Sequence, residues 1–104
     1  MVMIEIILFR NHMTLEDQQR WWTEEHAPIA RKMPGLRGYF INMAGRGEGD
    51  AEPEICGTDT LTFDSWEAAM KAYNSPEWKA AREHTQQSGA KAMRTWVKEQ
   101  VKII

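Results

Sequence analysis

The chain has 104 residues, of which 42% are hydrophobic and 27% are charged, and its formal net charge is −2. This size suits one domain spanning residues 1–104, and the hydrophobic share argues against disorder. Because no block of Lys and Arg is present, we expect no nucleic-acid partner. Cys56 is the only cysteine, so no intrachain disulfide forms. No apolar stretch approaches the ~20 residues of a membrane span, and we expect a cytoplasmic protein without a membrane partner.

The predicted elements alternate between strands and helices. An isoleucine-rich strand is expected over residues 2–10, followed by a helix that Thr14 caps and that reaches about Lys32. Pro28 is expected to kink this helix or end it early near His26, because proline lacks a backbone N–H. Further elements are predicted as strands over residues 36–44 and 58–63, helices over 65–73 and 75–88, and a strand over 93–103. The order β-α-β-β-α-β predicts a ferredoxin-like α+β fold, with an antiparallel sheet covered by helices on one face.

The face of the sheet away from the helices is predicted to be apolar. In the first strand, Met3, Ile7 and Phe9 alternate with a second apolar set on the helix side. An antiparallel sheet with one wet face would alternate more cleanly between apolar and polar residues. A second copy packed sheet against sheet is the simplest cover, and we therefore predict a homodimer.

His26 is the most informative residue of the first helix. At ~100° per residue it shares a face with Trp22 and Ile29, which are apolar. It is therefore expected to point toward the core or a cavity, where burial keeps an imidazole neutral and fit to act as a general base. A core histidine that only donates to a backbone carbonyl would show the same pattern, so position alone leaves both interpretations open.

Several segments together resemble the EthD family, which is named after a protein of bacterial ethyl tert-butyl ether degradation. The resemblance covers nearly the whole chain and rests on Trp21-Trp22, His26-Ala27-Pro28, Met33-Pro34-Gly35-Leu36, Tyr39, Phe63-Asp64-Ser65, Glu67-Ala68 and Ser75-Pro76-Glu77. It implies a dimeric α+β barrel with a pocket between sheet and helices, which takes a small hydrophobic or cyclic metabolite. The family histidine falls on His26, and Tyr39 matches a tyrosine of isomerase-like members. Many members carry an acid at the positions of Thr60 and His84, whereas the nearest acid to the first is Asp59.

These residues lead to a functional hypothesis with two alternatives. We expect a cofactor-independent acid–base enzyme of the isomerase, dehydratase or cyclase type, in which His26 moves a proton and Tyr39 stabilises the oxygen that gains charge. Trp22, Ile29 and Asp59 are the predicted substrate-binding residues. The three histidines match no zinc spacing, so no metal or cofactor is expected. The alternatives are a non-catalytic ligand-binding accessory protein of an oxidative degradation pathway, and a small monooxygenase that is cofactor-free or haem-dependent.

Overall fold

Four strands form one antiparallel sheet in the computed structural model, which describes all of residues 1–104. They are β1 (Val2–Phe9), β2 (Leu36–Met43), β3 (Ile55–Phe63) and β4 (Ala92–Val97). Their order across the sheet is β2-β3-β1-β4, and every neighbouring pair is antiparallel. The helices lie between the strands in the predicted order, so the ferredoxin-like α+β fold is confirmed.

The helices begin at side-chain caps that are visible in the sequence. They are α1 (Leu15–Trp21), a π-helical turn (Trp22–His26), α2 (Ala27–Ala30), α3 (Trp66–Tyr73) and α4 (Pro76–Gln87). The hydroxyls of Thr14, Ser65 and Ser75 each accept a hydrogen bond from the backbone N–H three residues later, which satisfies a donor that the first turn leaves free. The longest helix has 12 residues, and none of the helices combines the length and apolar character that a membrane crossing requires.

Near His26, where the sequence predicted a kink or an early helix end, the structure has a single wide π-helical turn. The N–H of Ala27 bonds to the carbonyl of Trp22, five residues earlier, instead of four as in an α-helix. Pro28 follows directly and cannot donate a backbone hydrogen bond, so the regular α-helical ladder is already interrupted here. The chain nevertheless stays helical through Ala30. The wide turn therefore changes the angle at which the residues beyond His26 leave the helix.

The last strand is shorter than predicted. It ends at Val97, whereas residues 98–104 form no strand and are exposed. The reason is the pairing with β1: Val97 lies opposite Met3, one residue from the beginning of β1 at Val2. Beyond that point the neighbouring strand offers no backbone ladder, so the apolar pattern of the last residues does not extend the sheet.

The buried side chains form two clusters between the sheet and the helices. The larger one contains Ile4, Leu61, Phe63 and Trp78, and the smaller one contains Leu8, Trp21, Trp22, Cys56 and Ala90. Gly57 lies beside the smaller cluster, next to a bulge in β3, where the pairing of Leu8 with Gly57 is followed by that of Phe9 with Ile55. A Cβ at Gly57 would meet the carbonyl oxygen of Asn42 and lie 3.0 Å from the Trp22 ring. Glycine therefore lets β3 approach this indole closely.

We expect Gly57→Ala to destabilise the protein by about 1–3 kcal/mol, because the added methyl group overpacks a filled site. Chemical denaturation monitored by tryptophan fluorescence measures the change. Gly45→Ala is the matched control, since a Cβ there meets nothing within 4 Å. Equal stability of the two variants would show that the backbone of β2 at Asn42 and the Trp22 ring both shift without cost.

Candidate active site

A cavity of about 410 Å³ opens between the sheet and helix α4. Its volume lies in the range of ordinary small-molecule sites. Four of the five residues that the sequence singled out line it, namely Trp22, His26, Tyr39 and Asp59. The wall contributed by α4 includes residues such as Trp78 and Ala81, and twelve of the nineteen lining residues are hydrophobic. The cavity is therefore mainly apolar, with a few polar groups.

Ile29 does not belong to this cavity and packs against the larger core cluster instead. The helical face predicted from the sequence assumed a uniform rotation per residue. From His26 onward the chain is α-helical through Ala30, but three residues turn only about 300°, so Ile29 lies about 60° from His26 around the helix axis. The cavity therefore gives no support to placing Ile29 in the substrate site.

His26 is hydrogen-bonded to a second histidine that sequence reasoning did not pair with it. The two Nδ1 atoms of His26 and His84 are 2.9 Å apart, and the ring planes are only 10° from parallel. The Trp21 indole stacks on both imidazoles, with centroid distances of 5.1 Å to each. One nitrogen of the pair donates and the other accepts, so the two rings share a single proton between them.

The partner of His26 is therefore a side chain on α4, not the backbone carbonyl of the simple core interpretation. His84 lies three residues after Ala81, a buried residue of the same helix that lines the cavity, so the helical period was a usable signal. The pairing could not be predicted, because the sequence does not give the distance between α4 and the helical turn that carries His26. His12, the third histidine, is exposed and does not join the pair, and no group of three His, Cys, Asp or Glu side chains is placed to hold a metal ion.

The environment of His26 favours a neutral imidazole. The residue is 8% exposed, and burial, together with the neighbouring His84, lowers its pKa from 6.5 to about 4. Its other ring nitrogen, Nε2, has no hydrogen-bond partner in the protein. At neutral pH the ring is uncharged, and Nε2 remains available to a bound molecule.

Asp59 presents the opposite case, a carboxyl group that burial keeps protonated. The residue is 5% exposed, and its Oδ1 atom is buried without any hydrogen-bond partner. Burial, with a contribution from Glu5, raises its pKa from 3.8 to about 7. Thr60, one residue later, points to the other face and donates to Glu5. A buried carboxyl oxygen without a partner is costly for the fold, and such groups concentrate at functional sites.

Tyr39 contributes a phenol that stays protonated. Burial and the nearby Asp59 raise its pKa above the ordinary value of 10.0. The residue packs partly against the larger core cluster and lines the cavity on the β2 side. Trp22, which is 1% exposed, forms the adjoining wall. The arrangement offers an uncharged imidazole, a titratable carboxyl group and a phenolic donor to one enclosed ligand.

Fold and site together define a ferredoxin-like α+β protein with a mainly apolar cavity between its sheet and its helices. The EthD domain profile matches residues 10–88. The chain therefore belongs to the EthD family, as the sequence motifs suggested. No curated protein sequence matches the chain.

Solved structures with the same fold cover almost the entire chain. An EthD family protein from Bacillus halodurans superposes with a TM-score of 0.73 at 22% identity, covering 97% of this chain and all of the other. The cofactor-independent oxygenase SnoaB from Streptomyces nogalater gives 0.65 at 9% identity, with 98% and 96% covered. A dimeric ferredoxin-like protein from Jannaschia sp. gives 0.56 at 16% identity, with 91% and 99% covered. At these identities the likeness concerns the fold.

We expect Asp59→Asn to remove a pH-dependent penalty from the folded state. The folded-state pKa of Asp59 is raised, so its contribution to stability is fully present below 3.8 and is lost as the pH rises to about 7. As the pH rises across this window, the free energy of unfolding of the variant should therefore increase relative to that of the parent. The increase is at most about 1.4 kcal/mol per pH unit. Urea denaturation at a series of pH values measures the difference.

The comparison isolates Asp59, because the titration of His26 occurs in both proteins and cancels in the difference. A difference that stays constant between these pH values would show that the carboxyl group ionises as freely in the folded protein as in the unfolded chain.

Proposed function

We propose that the protein is a cofactor-independent acid–base enzyme that isomerises, dehydrates or cyclises a small hydrophobic or cyclic intermediate. The observation that carries the proposal is the cavity whose lining brings together a neutral His26, with no hydrogen bond at Nε2, and the buried carboxyl group of Asp59. Membership in the EthD family agrees with a small-molecule pathway protein of this fold. The type of reaction is our inference from the side chains.

The three polar groups take different roles in this mechanism. His26, neutral above about pH 4, accepts a proton from substrate carbon or oxygen at Nε2. Its Nδ1 atom then needs to be the proton donor toward His84, since the tautomer decides which nitrogen is free. Tyr39 donates a hydrogen bond to the oxygen on which negative charge develops. Asp59, when protonated, donates a second hydrogen bond and holds the substrate.

We expect His26→Gln to lower kcat/KM by about 10²- to 10⁴-fold, which is the usual contribution of a general base. In the parent protein, kcat/KM should rise as the pH increases through about 4, where His26 loses its proton. It should fall through about 7, where Asp59 loses its own. Asp59→Asn, which keeps a donor in place, should abolish the alkaline limb. Steady-state kinetics from pH 3.5 to about 9 measure both limbs.

His12→Gln is the matched control, because it removes the histidine that lies outside the pair. Thermal unfolding of His26→Gln reports whether the fold survives. A well-folded variant with parental turnover would contradict the role of His26, and activity that increases above pH 7 would make Asp59 a base instead of a donor.

A second candidate function is supported by the same imidazole. A pKa of about 4 makes His26 a weak base, and a weak base with a satisfied Nδ1 atom also suits a ligand-binding accessory protein that catalyses nothing. In that case His26→Gln retains ligand affinity, and no substrate is turned over by the parent protein. The cofactor-independent oxygenase activity of SnoaB belongs to that protein. Measuring oxygen consumption with the ligand tests whether this chain shares it.

We also propose that the protein is a homodimer that forms through the uncovered face of its sheet. Phe40 on β2 and Met93 on β4 are 67% and 59% exposed on that face. The strand between β2 and β1 contributes three threonines to it, Thr58, Thr60 and Thr62, so the face is less uniformly apolar than the sequence suggested. The dimeric relative from Jannaschia shares the fold and supports the proposal.

We expect Phe40→Arg to give a monomer at micromolar concentration, because a charged side chain buried in a sheet-to-sheet contact lacks a partner. Sedimentation velocity measures the molecular mass of parent and variant. Lys71→Glu on α3, on the opposite side of the sheet, is the control for a change in charge. A parent protein that already sediments as a monomer would refute the dimer.

A further inference from the structure

The charge around the cavity is opposite in sign to the net charge of the whole chain. The formal net charge of the chain is −2, yet the cavity lining includes three cations, Arg82, Lys91 and Arg94, and only one acidic residue, Asp59. None of the three cations takes part in an ion pair within the protein. Burial raises the pKa of Asp59 to about 7, so the carboxyl group is largely protonated below neutral pH. The cavity is therefore positive in a protein that is negative overall.

Two of these cations are held in place by an aromatic ring. Nη2 of Arg94 donates to the hydroxyl of Tyr73 at 2.5 Å, and the Arg94 Cζ atom lies 4.8 Å from the centre of that ring. The Cζ atom of Arg82, on α4, lies 5.7 Å from the same centre. Contacts of this kind orient a guanidinium group without neutralising it. Glu83, the acid next to Arg82 in the sequence, lies within 4.0 Å of Lys79 instead.

The sheet sets the distance between the positive end of the cavity and its carboxyl group. Asp59 on β3 lies opposite Ile6 on β1, and Ile6 lies opposite Arg94 on β4. Two strand spacings thus separate the backbones of Asp59 and Arg94, which is about 9.6 Å. The apolar side chain of Ile6 lies between them and lines the cavity. A molecule lying across β1 would meet polar groups at both ends and an apolar surface in the middle.

We infer that the cavity binds an amphipathic organic acid, with an apolar ring system over Ile6, a carboxylate held by Arg82 and Arg94, and a hydroxyl or keto oxygen near Asp59. Arginine suits this task because its planar guanidinium group matches a carboxylate with two parallel hydrogen bonds. This inference names the substrate class of the proposed enzyme. It rests on that proposal for the site, but the binding of the acid does not depend on catalysis.

Titration calorimetry with two ligands tests the inference. The acid probe is 6-hydroxy-2-naphthoate, and 2-naphthol is the neutral probe that lacks the carboxylate. We expect the acid to bind about 10-fold more tightly or better, as one charge-assisted hydrogen bond can provide. Arg94→Gln and Arg82→Gln should each remove most of this preference and leave the affinity for 2-naphthol unchanged. High salt should weaken binding of the acid alone.

Lys79→Gln is the matched control, because it removes a positive charge from the same helix at a side chain that does not line the cavity. Equal affinities for the two probes, absence of acid binding at millimolar concentration, or loss of the acid preference in Lys79→Gln would each overturn the inference. Competition by inorganic phosphate as strong as that by the acid would assign the cations to a phosphate group and would also overturn it. Binding of this acid does not require turnover, so the inference would stand even if the proposed enzyme activity failed its own test.

Discussion

The arrangement of the site depends on one constraint, the burial of an imidazole at the end of a wide helical turn. The turn Trp22–His26 follows two consecutive indoles with different roles, because Trp21 contacts the His26 ring and Trp22 lines the cavity. Trp21 stacks on the histidine pair, whereas Trp22 forms a wall of the cavity and approaches β3 at Gly57. A regular α-helix would need a hydrogen bond from residue 28, which proline cannot donate. The local irregularity thus determines which atoms the cavity presents.

The pKa values of the two titratable groups His26 and Asp59 are shifted in opposite directions. Burial disfavours the charged form of every group, so it lowers the pKa of His26 and raises the pKa of Asp59. Between about pH 4 and 7 both are uncharged, and the apolar cavity then contains no buried charge from either. As the pH rises, the lowered pKa of His26 makes the fold more stable, whereas the raised pKa of Asp59 makes it less stable. The two effects on the free energy of unfolding therefore oppose each other. A protein selected only for stability would place neither group there.

Much of the fold could be predicted from the sequence, because it depends on local signals. Thr14, Ser65 and Ser75 cap helices in the structure as their sequence positions indicated. The end of β4 could not be predicted this way, since it depends on where β1 begins opposite it. The apolar residues after Val97 continue a strand pattern but have no neighbour to pair with. The alternation of residues in the sequence describes a single strand, whereas the register, and with it the end of β4, depends on two paired strands.

The site shows the same division between local and long-range information. His26 and Trp22 were found because the helical period directs both side chains toward the sheet, whereas Tyr39 was found through the family resemblance. Ile29 was assigned to the same face from the helical period alone, and it packs against the larger core cluster instead. His84 was missed as a partner because it lies 58 positions from His26. No distance between the two helices that carry these rings can be read from one sequence.

The identity of the partner of His26 has a chemical consequence. A carboxylate at the position of His84, where the resemblance places an acid in many members, would stabilise a charged imidazolium and raise the pKa of His26. A second imidazole does the reverse, and it adds to the burial that lowers the pKa of His26 to about 4. Proton transfer to so weak a base is effective only from a correspondingly acidic group, such as a carbon between two carbonyls or an enol. An organic acid whose far oxygen receives hydrogen bonds from Asp59 and Tyr39 would have its protons acidified in this way, because both donors stabilise the resulting anion.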